Sequence, residues 1–415
     1  MKALGLIVML SLLSPLSLKA ELSLPEREAD ISEKSTHEQV KLIKVTEDKA
    51  GFKLNTFCLT GDGDILAGCN TGSDKDGSGT GVIRTFDAEG NHLRDWKVPV
   101  DPEAINVAPD GTVLVAGDGR LFRYSTTGKL IQEAAAPHYK DLKSNADVVR
   151  KEVIEQLNSR GVNYDSAIEN YETRVADLKK KKEPTEIDKR RLKAFGRMLK
   201  TLKEARDQIS EQPKLSEEEI DQQVVRMIKY KTGVSSISSD GNNIFVATRA
   251  LKGHGYAIWR TDLKFKNAEQ IVTGLSGCCG QMDVQADKNG IYVAENSRHR
   301  VVCYDTDGKE QLHWGKGDRK GVEGFSSCCN PMNLCFGKNG DVYTAESSSG
   351  RIKRFDSKGK LIDYVGDVKL VPGCKKVSIA VSQDTDRIYM LDITRNHIIV
   401  MQTKPTEVEG KTATR

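Results

Sequence analysis

Met282-Asp-Val-Gln-Ala-Asp-Lys-Asn-Gly290, then Ile291-Tyr-Val-Ala-Glu295, then Arg300-Val-Val-Cys-Tyr-Asp305 and Asp307-Gly-Lys309, returns further along the chain. The second copy reads Met332-Asn-Leu-Cys-Phe-Gly-Lys-Asn-Gly340, Asp341-Val-Tyr-Thr-Ala-Glu346, Arg351-Ile-Lys-Arg-Phe-Asp356 and Lys358-Gly-Lys360. The same template fits Ile105 to Lys129, with Pro109-Asp-Gly111 and Thr127-Gly-Lys129 as its turns, and weaker copies run from Phe57 to Asn91, Val234 to Phe265 and Val377 to Gln402. An internal period outranks every other signal, because missing it misassigns the whole fold.

Within each copy, short runs rich in β-formers are separated by Asn-Gly, Asp-Gly or Gly-Lys, which tolerate the positive φ of tight hairpins. A unit of about 40 to 45 residues built this way is a four-stranded propeller blade. Six copies predict an all-β, six-bladed β-propeller. The last copy has only three strands, Val377-Ser382, Arg387-Asp392 and His397-Met401, while Val40-Lys-Leu-Ile-Lys-Val45 precedes the first copy without a blade of its own. Pairing that N-terminal strand onto the last blade closes the ring and removes its exposed edges.

The Gly-containing turn, Tyr-Val-Ala-acidic and Arg-Ile/Val-x-x-Phe/Tyr-Asp pattern resembles the NHL repeat, strongly in the copies from Met282 and Met332 and loosely elsewhere over residues 40–136 and 233–402. The acidic residue that is usually Asp in that repeat is Glu295 or Glu346 here. Between the second and third copies, Lys140 to Lys231 is rich in Lys, Glu, Arg, Asp and Gln and poor in Gly. Apolar residues at helical spacing, such as Ile168-Tyr171-Val175-Leu178 and Leu192-Phe195-Met198-Leu199-Leu202, predict an inserted α-helical hairpin or coiled-coil segment. Gly161 and Pro184 are expected to mark its bends, and Ser216-Glu-Glu-Glu219 to cap a further helix.

The domain plan is therefore a signal peptide over 1–20, a flexible segment over 21–38, the closing strand and blades 1–2 over 39–139, the helical insertion over 140–231, blades 3–6 over 232–403 and a flexible tail over 404–415. The signal peptide rests on Met1-Lys2, an apolar stretch from Leu4 to Leu16 and Ala20 before Glu21. That stretch is shorter than the roughly 20 residues a membrane span needs and is broken by Pro15. A secreted or periplasmic protein with no membrane span in its mature chain is expected. Basic and acidic residues number 63 and 59, a net charge of +4. Near-balance of this kind gives no reason for a nucleic-acid partner.

Nine cysteines in an exported chain are disulfides or metal ligands rather than resting thiols. Cys278-Cys-Gly-Gln-Met282 and Cys328-Cys-Asn-Pro-Met332 occupy one repeat position twice, and Cys374 falls in register with Cys279 and Cys329. In a propeller this position is the loop leading into the innermost strand, so three blades should bring five Cys and two Met to one rim of the channel. Loops between second and third strands open on that rim and add Glu295, His299, Glu346, Asp392 and His397, with His254 in a longer loop.

Three readings of these cysteines stay open. Disulfides between blades or within each Cys-Cys pair carry most weight in an exported protein. A metal site of Cys278, Cys279, Met282, Cys328, Cys329, Met332, Cys374 and His299 would suit copper(I) through its sulfurs or zinc through thiolate with imidazole. Redox exchange at a strained vicinal disulfide is the third. Cys58, Cys303 and Cys335 lie inside predicted strands as small buried apolar residues. Cys69 precedes the loop Gly72 to Gly81, whose Asp74 and Asp76 hint at a cation site within a surface loop.

The resemblance implies two enzyme classes. Gluconolactonase-like propellers hold a divalent metal with oxygen ligands, but Met282 and Met332, flanked by Asp283 and Asn333, stand at the matching positions and disfavour a hard metal. Peptidylglycine amidating lyases use a His-bound zinc, for which His254, His299 and His397 are the available imidazoles. A fold alone does not imply catalysis. The leading expectation is a scaffold that binds a protein or small molecule at a cysteine-rich rim, with a lyase- or lactonase-like metal or redox enzyme as the alternative.

Overall fold

The Gly-Lys turns of the repeat close tight hairpins. Gly308 and Gly359 both have φ of 83° and donate to the carbonyls of Asp305 and Asp356 at 3.0 Å. A side chain at Gly359 would also meet the ring of Trp314 at 2.5 Å, as one at Gly128 would meet Trp96. Glycine is required there twice over, for the backbone and for the indole that packs under the turn.

The computed structural model describes residues 35–73, 79–210, 216–318 and 321–405. The signal peptide, nearly all of the 21–38 segment, the tail beyond 405 and Asp74 and Asp76 lie outside the described residues. Strand β1 (His37–Lys44) comes first. Blade 1 is β2 (Lys53–Leu59), β3 (Ile65–Ser73), β4 (Gly79–Phe86) and β5 (His92–Val98). Blade 2 is β6 (Ala104–Val107), β7 (Val113–Gly117), β8 (Arg120–Tyr124) and β9 (Leu130–Ala135). Four helices follow, α1 (Pro137–Ser144), α2 (Ala146–Lys179), α3 (Glu186–Ser210) and α4 (Glu217–Lys231). Blade 3 is β10 (Val234–Ser239), β11 (Asn243–Arg249), β12 (Tyr256–Asp262) and β13 (Glu269–Leu275). Blade 4 is β14 (Asp283–Asp287), β15 (Gly290–Glu295), β16 (Arg300–Tyr304) and β17 (Glu310–Trp314). Blade 5 is β18 (Asn333–Phe336), β19 (Val342–Ala345), β20 (Arg351–Phe355) and β21 (Leu361–Asp367), and β22 (Ile379–Val381), β23 (Ile388–Asp392) and β24 (His397–Thr403) complete the chain.

Each blade is a four-stranded antiparallel sheet, and the sixth has the order β1-β24-β23-β22. His37 pairs with Thr403 and Lys44 with His397, so the N-terminal strand supplies the outer strand that the last copy lacks. The inner strands β2, β6, β10, β14, β18 and β22 pack in succession, and β22 returns to β2. The core is correspondingly divided among the blade interfaces. Ile43, Val45, Leu54 and Ile398 fill the interface of blades 6 and 1, and Tyr292, Trp314, Leu334 and Phe355 that of blades 4 and 5. Alternation along each strand sends one face to each neighbouring blade, so both faces are apolar.

Asn145–Tyr230 forms a compact unit of its own. Within it α2 packs on α3, with Tyr171 edge-on to Phe195 at 5.6 Å and Lys203 paired to Glu172 at 2.6 Å. Ser216 and Glu219 exchange hydrogen bonds as a capping box at the start of α4, and Thr185 and Asp188 do the same for α3 after Pro184. The bend expected at Gly161 is absent: α2 runs through it without a break. One helical glycine costs about 1 kcal/mol, which the packing of a 34-residue helix absorbs. Proline has no amide proton to give, so Pro184 does fall between helices. No helix among the described residues is long and apolar enough to cross a membrane.

Candidate functional site

The loops leading into β14, β18 and β22 bring five thiols together. Cys279 Sγ is 3.5 Å from Cys278 Sγ and 3.1 Å from Cys329 Sγ. Cys328 Sγ is 3.0 Å from Cys329 Sγ and 3.5 Å from Cys374 Sγ. Cys329 is also 3.5 Å from Cys278 and 3.3 Å from Cys374. Every one of these separations exceeds the ~2.05 Å of a disulfide, and all nine cysteines are free. Cys329 is buried, whereas Cys279 and Cys374 lie at the exposed edge. The group spans blades 4, 5 and 6, as the register of the repeat predicts.

Buried polar side chains hold these loops. Asn296 accepts from the Cys278 amide at 2.8 Å and donates to the Gln281 carbonyl at 2.8 Å and to Met332 Sδ at 3.2 Å. Asn330 donates to the Ser326 carbonyl at 2.6 Å and accepts from the Ser347 amide at 2.8 Å. Ser347 Oγ in turn donates to the Gly373 carbonyl at 3.2 Å and accepts from the Lys375 amide at 2.9 Å, gripping the loop on both sides of Cys374. Around the thiols, four residues other than glycine have left-handed backbone: Cys279 and His299 at φ 55°, Ser327 at 68° and Ser348 at 63°. Each such residue costs about 1 kcal/mol, so the loops adopt these shapes against local preference.

The thiols share their protons unequally. Hydrogen bonds from Cys279 and then Cys329 hold the Cys278 thiol far below its ordinary range. Those from Cys279, Cys328 and Cys329 do the same for Cys374. Hydrogen bonds with the surrounding thiols push Cys329 up, and the one with Cys278 does the same for Cys279. Two groups of three sulfurs lie close enough to share an ion, Cys278, Cys279 and Cys329, and Cys328, Cys329 and Cys374.

Met282, Met332 and His299 are placed differently. Met282 is buried in the apolar cluster between blades 3 and 4. Met332 is buried in the cluster that contains Cys329, its sulfur taken by Asn296. His299 bonds through Nδ1 to the Asn330 carbonyl at 3.2 Å. His254 is exposed between β11 and β12. Burial lowers the His397 imidazole below its ordinary range.

The acidic residues of the repeat are occupied by the framework. Glu295, fully buried, accepts from the Ser276 amide at 2.9 Å and pairs with Arg298 and Arg300, both at 2.6 Å. Glu346 accepts from the Ser326 amide at 3.0 Å and pairs with the equally buried Lys353 at 2.5 Å. Asp392 accepts from the amides of Thr394 and Arg395 and pairs with the Arg395 side chain. Asp118 in blade 2 accepts from the Asp101 amide at 2.9 Å. In Glu295, Glu346 and Asp118 the carboxylate ties the end of the second strand to the loop leading into its own blade, which is what the acidic position of the repeat does in the fold. Asp283 and Asn333 are likewise spent on neighbours: Asp283 accepts from Ser236 at 2.7 Å and the Leu334 amide at 2.8 Å, and Asn333 from the Ile379 amide at 2.8 Å.

Beside the thiols, the mouth of the channel is crossed by two residues that the repeat does not reveal. Gln281 bonds both ways to Val377, donating at 2.7 Å and accepting at 3.1 Å, which ties blade 4 to blade 6 past blade 5. Lys376 reaches across to the Glu103 carbonyl on blade 2. Burial pushes the Glu103 carboxyl up to about 7 and the Lys376 amine down. Cys58 and Cys303 are buried in strands and Cys335 is half-buried in one, and burial raises all three thiols. Cys69 is buried in β3, and burial pushes its thiol up to about 12.

No protein-family model and no curated protein matches the chain. Among solved structures its neighbours are β-propellers. It is similar to a catalytically inactive virginiamycin B lyase from Staphylococcus aureus determined with quinupristin, at 11% identity and TM-score 0.41 over 88% of this chain and 99% of that one. It is also similar to the β-propeller domain of a Myceliophteria thermophila protein, at 10% identity and TM-score 0.42 over 89% and 100%. A Bacteroides thetaiotaomicron protein of unknown function is similar at 9% identity and TM-score 0.47 over 90% and 74%.

Proposed function

We propose that this chain is an exported propeller of the NHL type whose rim binds a soft, thiophilic metal ion, copper(I), as its ligand. The observation that carries the reading is the meeting of five sulfurs from three blades, each 3.0 to 3.5 Å from its nearest partners. Two arguments favour a metal over disulfides. Five is odd, so pairing into bridges always leaves one thiol unused. Cys329 approaches all four of the others, which is the position of a shared ligand rather than of one half of a bridge.

Soft thiolates select copper(I). Structural zinc takes four protein ligands, and the groups that the described residues form from Cys, His, Asp and Glu hold three. His299, the imidazole that a mixed zinc site would use, is turned to the Asn330 carbonyl. Binding exchanges thiol protons for the metal, which keeps its oxidation state. Glu295, Glu346 and Asp392 are all engaged in ion pairs, which leaves these rim carboxylates to the framework and supports a binding scaffold.

The test is anaerobic titration of the reduced, full chain with copper(I) against a bathocuproine chelator, with thiols counted by alkylation before and after. Stoichiometric copper that shields five thiols supports the reading. Peptide mapping that finds two disulfides among the five, with no copper retained against the chelator, returns the rim to a stapled scaffold for another ligand.

A further inference from the structure

Cys329 Sγ lies 3.1 Å from Cys279, 3.5 Å from Cys278, 3.0 Å from Cys328 and 3.3 Å from Cys374. It is also the one sulfur common to both groups of three, and it is fully buried while Cys279 and Cys374 are exposed. From this geometry, and resting on the copper reading above, we infer that the rim holds two copper(I) ions bridged by the Cys329 thiolate.

Two three-coordinate ions need six ligand positions, and five sulfurs supply six only if one is used twice. A thiolate has lone pairs enough to bind two ions at once. The sulfur that serves twice must lie between the others, and Cys329 does. One ion takes Cys278, Cys279 and Cys329; the second takes Cys328, Cys374 and Cys329. Metal-thiolate bonds of about 2.3 Å in a trigonal plane set the sulfurs roughly 4 Å apart, so the sulfurs of each group, now 3.0 to 3.5 Å apart, must separate by about 0.5 to 1 Å on loading. The loops at Cys279-Gly280 and Ser327, with left-handed backbone at each, are where that opening is absorbed. Five thiolates with two copper(I) ions carry a net charge of −3. Lys375 directly follows Cys374 in sequence, and the Arg249 guanidinium lies beside Gly280, which places positive charge near both groups of three.

Each ion is delivered as copper(I), and loading exchanges thiol protons for metal without electron transfer. The experiment is copper loading of the full chain with bathocuproine-buffered copper(I), read by elemental analysis and by X-ray absorption at the copper edge. Two copper per chain with a copper-copper scattering vector is the expected result. Cys278→Ser and Cys374→Ser should each fall to one copper per chain and lose the vector, because each leaves one group of three intact. Cys329→Ser should lose the vector whatever copper it keeps. The wild-type vector remains decisive if the buried Cys329 variant does not fold. Saturation of the wild type at one copper, or at two without the vector, overturns the bridge and leaves the copper reading standing. Retention of no copper overturns the copper reading itself.

Discussion

Replacing Glu346 with Gln separates a framework role from a ligand role. The Lys353 ammonium sits 2.5 Å from Glu346 Oε1, and neither side chain is exposed to solvent. It also donates to the Gly324 carbonyl and lies 4.7 Å from the centre of the Phe325 ring. Glu346→Gln keeps the shape and most of the hydrogen bonds from Ser326 and Ser349, but strips Lys353 of its counter-charge. Breaking one partner of a buried pair costs about 3 to 5 kcal/mol. The upper bound has an independent source. Burial already pulls the Lys353 amine below its ordinary range, and giving up its proton at pH 7 from an ordinary value near 10.4 costs about 5 kcal/mol, at 1.36 kcal/mol per pH unit. At about 2 °C per kcal/mol for a domain of this size, the melting midpoint should fall by roughly 6 to 10 °C at pH 7. If Lys353 escapes by losing its proton, the deficit shrinks as pH rises, by about 2 to 3 kcal/mol between pH 7 and 9. Adding Lys353→Met should restore a large part of the loss, giving a coupling above about 2 kcal/mol in a double-mutant cycle. Calorimetry with copper analysis of the same samples reads all of this. A Glu346→Gln protein that melts within 1 °C of its parent, or a cycle that is additive, refutes the reasoning. Loss of copper with the fold intact would make Glu346 a ligand.

His138, fully buried in α1, bonds through Nε2 to the Thr232 carbonyl at 3.0 Å, and burial lowers its imidazole to about 4. The unfolded chain protonates this group near 6.5 and the folded chain near 4, so stability is full above pH 6.5 and falls as pH drops through that window, by about 3 kcal/mol at most. His138→Gln should flatten the pH dependence of urea unfolding between pH 4 and 7; a slope equal to the parent's would reject the assignment. Replacing Asn145–Tyr230 with a short Gly-Ser loop should leave a folded propeller, since those residues form a separate compact unit. Cooperative melting with β-rich circular dichroism is expected, and an unfolded product would place the helices in the propeller's folding unit.

Much of the ring was legible because a hairpin is a local decision. Gly308 and Gly359 set their turns within four residues, and β14 to β21 follow the two strong copies run for run. The meeting of Cys278, Cys279, Cys328, Cys329 and Cys374 was legible for the same reason, because equal repeat position becomes equal position around the axis. Reach across the axis was not legible. Gln281 and Lys376 find their partners on non-adjacent blades, and nothing in a linear period says which long side chain will span the mouth. The acidic residues misled for a related reason: their position on the rim followed from the fold, but their charge is spent on Arg298, Arg300, Lys353 and Arg395, which only the packed structure brings into contact. Asn296 and Ser347 did leave a trace, since each directly follows the repeat's Ala-Glu, in Ala294-Glu-Asn and Ala345-Glu-Ser. A small polar residue just past a strand is an ordinary turn residue until its loop partner is known.

The latch between β1 and β24 has a mechanical consequence. His37 and Thr403 form the terminal rung of the β1–β24 register, with one further bond beyond it from the Lys404 amide to the Thr36 carbonyl, so the two ends of the described ring leave from the same end of the same ladder. Tension applied through residues 37 and 403 would load that rung alone, then the next, in the manner of a zipper rather than of a joint sheared all at once. The ring therefore yields at low force, and at its sixth blade first. The break would expose Ile398 and Leu54, which Ile43 and Val45 cover in the closed state, while the hairpins of the other five blades stay paired.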